Sequence, residues 1–119
     1  MLPGSYSQAY EKFVKKLLLL RSTIDTRNLD LVASQKNFKI VQKIFQTSIT
    51  HLSDEGLDPA TSSRWRSLQT EIYRAFKLLE VEMMFVLSSK QSTTQQQRLK
   101  SIDDRLSQLI GYCELIRKS

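Results

Sequence analysis

The chain has 119 residues, enough for one domain that buries roughly two-thirds of the surface its unfolded form exposes, so folding requires neither a disulfide nor a metal. Its 18 Lys and Arg against 12 Asp and Glu give a formal charge of +6, a balance suited to nucleic acid, anionic lipid or an acidic protein segment without selecting among them. The longest apolar runs, Leu17 to Leu20 and Met83 to Leu87, are far short of the ~20 residues of a membrane span, and the Met-Leu-Pro-Gly-Ser start lacks the charged and apolar regions of a secretory signal. A single cysteine adds a reducing, cytoplasmic setting to these expectations.

Pro3 and Gly4 set the earliest start of a first helix, with Ser5 or Ser7 as its N-cap. Tyr6, Tyr10, Phe13, Leu17, Leu20 and Ile24 recur at helical spacing and predict a helix over about 5–24. Leu18 and Leu19 fall outside that stripe and predict burial on more than one side. Asp25 to Asp30 contains turn and capping residues but no Gly or Pro, so this boundary is weakly marked. A second helix is expected over about 30–52: Leu31, Phe38, Val41, Phe45, Ile49 and Leu52 share one face, with Lys36, Lys39 and Lys43 roughly opposite and Ile40 and Ile44 between.

The clearest break is Ser53 to Pro59, where Gly56 suits a positive-φ turn and Asp58 before Pro59 reads as an N-cap followed by a first-turn proline. The third helix, about 59–88, is the organising element. Trp65, Leu68, Ile72, Phe76, Leu79, Met83 and Val86 form its main stripe, and Leu78, Val81, Met84 and Phe85 make a second apolar face. Ser88 to Thr94 is polar and able to separate it from a fourth helix over about 94–117. There Leu99, Ile102, Leu106, Leu109, Cys113 and Ile116 alternate steps of three and four, the pattern of a bundle seam, with Gly111 as its weak point. Four helices with short connections predict an all-α, antiparallel up-down four-helix bundle as a single domain over residues 1–119; a long helical hairpin that dimerises is the alternative.

No chemical signature accompanies these helices. His51 is the only histidine and has no Glu three residues before it, Gly4, Gly56 and Gly111 lie in no phosphate-cradling loop, and Cys113 falls on an apolar stripe. Asp54, Glu55 and Asp58, then Glu80 and Glu82, then Asp103 and Asp104 cluster in sequence, but a loop and adjacent helical positions point such groups apart rather than at one desolvated centre. The expectation is a non-enzyme without cofactor or metal.

Two surfaces are candidates for binding. Lys36, Lys39 and Lys43 form a basic strip, with Lys12, Lys15 and Lys16 on the neighbouring first helix, and no acid lies between residues 31 and 52. Ile40 and Ile44 beside Lys36 and Lys43 supply apolar anchors next to positive charge, suited to an acidic amphipathic segment. The face made by Leu78, Val81, Met84 and Phe85 either packs between neighbouring helices or, if exposed, marks a dimer or partner groove. Trp65 lies on the core stripe, which places its indole inside despite the flanking Arg64 and Arg66.

The opening Met-Leu-Pro-Gly-Ser-Tyr-Ser-Gln-Ala-Tyr-Glu-Lys-Phe and the run Glu-Met-Met-Phe-Val-Leu from Glu82 to Leu87 resemble the PatD family, small helical cyanobacterial regulators that limit heterocyst frequency. The resemblance covers most of the chain in length, helical layout and sequence texture. It implies a non-enzymatic cytoplasmic regulator that binds the tubulin-like division protein FtsZ and alters its assembly, coupling division to heterocyst differentiation. It carries no binding motif, so no binding residue transfers. The leading expectation is therefore a protein-interaction module that regulates an assembly, and the alternative is a nucleic-acid-binding or ribosome-associated bundle.

Overall fold

The computed structural model describes residues 2–24, 29–88 and 92–118. Four helices follow in order: α1 (Gly4–Thr23), α2 (Leu31–Ile44), α3 (Pro59–Ser88) and α4 (Ser92–Arg117). A π-helical turn over Phe45–Ile49 extends α2, and no strand occurs among the described residues. They form an antiparallel four-helix bundle measuring 50 × 20 × 18 Å. α3, with 30 residues, reaches ~45 Å at the usual helical rise and runs nearly the whole length. Four helices of one chain meet in a continuous core, so the hairpin that dimerises is set aside.

Local chemistry explains the boundaries. The carboxylate of Asp30 accepts from the Ala33 backbone N–H at 3.0 Å, closing the start of α2. Asp58 does the same for α3, accepting from the Thr61 N–H at 2.9 Å and from the Thr61 hydroxyl at 2.8 Å. Gly56 takes φ 83°, the left-handed turn that glycine adopts without steric cost. α1 departs from expectation: Pro3 occupies its N-cap without a side-chain bond, and Ser5 and Ser7 lie inside the helix. The expected turn at Asp25 to Asp30 and the polar stretch at Ser88 to Thr94 lie partly outside the described residues; Asp30 N–H reaches back to the Thr23 carbonyl at 3.4 Å.

The four stripes read from the sequence face inward. Tyr10, Phe13, Leu17 and Leu20 from α1, Phe38 and Val41 from α2, Ile72, Phe76, Leu79, Met83 and Val86 from α3, and the whole α4 seam are buried. Phe76 is the hub: its ring stacks on Phe45 at 3.9 Å and lies 6.1 Å from Phe13 and 6.4 Å from Phe38. Two expectations are corrected. Leu18 and Leu19 are 47% and 49% exposed, because the bundle has no layer beyond α1 to cover its outer face. Leu31 is 39% exposed at the start of α2, where the buried Ser34 takes the inward position by donating to the Thr23 carbonyl at 3.0 Å.

The second helix also does not continue as a regular α-helix to residue 52. Thr50 N–H bonds to the Phe45 carbonyl at 2.9 Å, the five-residue step of a π turn. Beside it, Trp65 donates through its indole N–H to the Tyr10 hydroxyl at 3.0 Å, Tyr10 donates to Gln69 Oε1 at 2.7 Å, and Gln69 Nε2 donates to the Ile49 carbonyl at 3.1 Å. This buried chain of bonds ties α1, α3 and the π turn together with each polar atom partnered, as burial demands.

Candidate functional site

Three neighbouring helix pairs pack closely: α3 on α4, α4 on α1, and α1 on α2. α2 and α3 meet differently. They are bridged by large side chains, Phe38 against Phe76 and Gln42 Nε2 to Glu80 Oε2 at 3.0 Å, and the separation of packed helices is set by the side chains at the contact. The result is an open groove of about 600 Å³ along this seam. Gln35, Lys39 and Gln42 form its α2 bank, Glu80, Val81, Met84 and Ser88 its α3 bank, and Phe38 and Leu87 its inner wall.

The groove brings together residues from the two surfaces that the sequence presented separately. Val81 and Met84 are 43% and 60% exposed on one bank, and Lys39 stands on the other. Lys36 and Lys43 are exposed one turn to either side of Lys39 along α2, and none of the three pairs with a carboxylate among the described residues. Glu80 is the only acid in the lining, and it is engaged by Gln42 and by Lys77 at 3.2 Å. An unpaired lysine therefore stands on the rim above an apolar wall, with two more exposed on α2 beyond it.

The remaining candidates lie elsewhere. Ile44 is buried at 8% exposure, one α-helical step of three beyond the buried Val41 on the inward side of α2, so it offers no surface and the pairing with Ile40 is corrected. Ile40 is 38% exposed outside the groove lining, as is Leu78 at 47%. Phe85, 48% exposed, faces α4, where the Arg98 guanidinium lies 4.7 Å over its ring. The apolar face of α3 thus divides: Val81 and Met84 line the seam, Phe85 lies beneath an arginine, and Leu78 belongs to neither. Gln35, Gln42, Glu80 and Leu87 were not expected; Gln35 and Gln42 each follow a core residue, Ser34 and Val41, which places them at the edge of the inward stripe.

The carboxylate clusters serve the fold. Asp54 accepts from the Ser62 hydroxyl at 2.7 Å and pairs with Arg66, and these contacts, the hydroxyl first, hold it below the usual carboxylate range. The Thr61 backbone N–H, then its hydroxyl, does the same for Asp58. Glu82 pairs with Arg105 at 2.9 Å and Asp103 with Arg21 at 2.8 Å, both bridging to α4. Burial pushes the Cys113 thiol and the Tyr10 hydroxyl well above their ordinary values, so both stay protonated. Among the described residues no group of three or more His, Cys, Asp or Glu is placed to hold a metal ion, and no helix is long and apolar enough to cross a membrane.

No protein-family model, curated protein or solved structure matches this chain.

Proposed function

We propose that this chain is a non-enzymatic interaction module that regulates a protein assembly through the open α2/α3 seam. The observation that carries the reading is the groove itself: exposed Val81 and Met84 face a bank whose one lysine, Lys39, has no carboxylate partner among the described residues, with Lys36 and Lys43 exposed beyond it on α2. Apolar surface next to unsatisfied charge is the pairing a regulatory docking site requires, since the first supplies affinity and the second supplies encounter rate and selectivity. The resemblance to the PatD family makes FtsZ the assembly and heterocyst differentiation the process, in the cytoplasm. Acidic FtsZ surfaces and tails suit a partner of +6 charge.

Sedimentation of FtsZ polymers with GTP tests this directly. Added protein is expected to change the pelleted fraction, and Lys36→Glu with Lys43→Glu to abolish the change at an unaltered melting temperature. An FtsZ pellet indifferent to the wild-type protein rejects FtsZ as the assembly. The same three lysines favour a second reading, a nucleic-acid-binding or ribosome-associated bundle. It predicts RNA or DNA binding that weakens steeply between ~50 and 200 mM salt, and absence of binding at the low end rejects it.

A further inference from the structure

We infer that the α2/α3 seam receives an acidic amphipathic helix from a partner protein, laid as a fifth helix against the open side of the bundle. This rests on the interaction-module reading and specifies its ligand. The banks are two antiparallel helices whose backbone bonds are internal, so no strand edge exists for an extended segment to join. Gln35 to Gln42 and Glu80 to Ser88 each run about two turns, roughly 10–12 Å at the helical rise, which matches apolar anchors at i, i+3 or i+4, and i+7. Val81, Met84 and Leu87 follow one another at three-residue steps along one bank and are the surface those anchors meet. Met84, the most exposed of them at 60%, is flexible enough to adapt to anchors of different shape.

Charge selects the sign of the flanking residues. Lys39 lines the seam, and Lys36 and Lys43, spaced three and four residues from it, are exposed on its outer side, so the outward flank of a helix laid alongside α2 meets positive charge that acids on that flank would pair. Glu80 offers no opposing preference because Lys77 and Gln42 hold it. A second copy of this chain docked through α2 is a poor occupant: its α2 face carries the same three lysines, so like charges would meet. Nucleic acid fits less well, since the exposed part of the groove wall is aliphatic and the nearby aromatic ring, Phe85, faces α4 under Arg98.

Fluorescence anisotropy with two labelled peptides of about 18 residues, long enough for appreciable helix, tests the inference. Both carry leucine at i, i+3, i+4 and i+7; one has glutamate and the other lysine at the flanking positions. The intact protein is expected to bind the glutamate peptide at least about tenfold more tightly near 0.1 M salt. Val81→Asp with Met84→Asp should remove that binding, and Lys36→Glu, Lys39→Glu and Lys43→Glu together should transfer the preference to the lysine peptide. All of these positions are exposed, so both variants keep the wild-type melting temperature. Equal binding of the two peptides, binding of neither, binding undiminished by the α3 variant, displacement of the peptide by RNA, or concentration-dependent dimerisation that blocks it overturns the inference. Should FtsZ polymers respond while the peptide fails, the ligand assignment falls and the regulatory reading stands. Should the peptide bind while FtsZ is indifferent, FtsZ falls and the ligand assignment stands.

Discussion

The boundary between the α2 segment and α3 is closed at one end and open at the other. At the closed end, Phe45 stacks on Phe76 at 3.9 Å, and Gln69 reaches the Ile49 carbonyl exposed by the π turn. At the open end the same two segments stand apart over Val81, Met84 and Leu87, joined at the groove's margin by the Gln42 to Glu80 bond. The contrast separates what holds the bundle together from what it leaves available. Aromatic stacking and a fully partnered polar chain anchor α2, and that anchoring allows the rest of the seam to remain unfilled without the helix detaching.

The division of labour makes substitutions at the two ends diverge. The largest effect is expected from Phe76→Ala, which removes the ring shared by Phe13, Phe38 and Phe45; a loss of about 3–5 kcal/mol in a denaturant titration is predicted. A loss below 1 kcal/mol would show that the closed end does not hold the fold. Gln69→Ala comes next. It leaves the buried Tyr10 O–H without an acceptor and takes from the Ile49 carbonyl one of its two donors, the Leu52 N–H remaining, and a cost of about 1–3 kcal/mol is expected from chemical unfolding. At the open end, Val81→Ser with Met84→Gln should leave stability within about 0.5 kcal/mol of wild type. A larger loss there would mean that the seam is structural, contradicting the contrast.

Acid sensitivity belongs to the loop that connects the two segments. Asp54 and Asp58 have folded-state pKa values below those of the unfolded chain, so the folded protein binds fewer protons as pH falls through that interval and loses stability there. Their contribution is present above the ordinary aspartate value of about 3.9 and disappears below it. Thermal melts should therefore be level from neutral pH to about pH 5, and Asp54→Asn with Asp58→Asn should reduce the fall at lower pH. An unchanged acid limb in that variant would assign the sensitivity to other carboxylates. The smallest effect concerns Cys113: its buried, protonated thiol should ignore a thiol reagent until denaturant is added, and rapid native labelling would show that the α4 seam opens.

Much of the closed end was legible in the sequence. The stripes through Phe13, Phe45, Phe76 and Leu106 are set by helical periodicity, and Asp30, Gly56 and Asp58 mark boundaries through their own side-chain and backbone chemistry. The groove was legible only in pieces. Val81, Met84 and Lys39 stood out individually, but no period in one helix states how far apart two helices will pack. The π turn left no clear trace in the pattern either, and Ile44 is buried because the inward stripe of α2 is wide enough to take it beside Val41. Leu18 and Leu19 misled for a related reason: apolar residues beyond a stripe imply a second neighbour only if the bundle supplies one.

Amide chemical shifts of the isotope-labelled protein, followed while the glutamate-flanked peptide is added, test the central claim most directly. The account predicts perturbations concentrated at 35–43 and 80–88, with the amides around Tyr10, Trp65 and Gln69 undisturbed. Shifts centred on the outer faces of α1 and α4, or spread across the closed end, would contradict it.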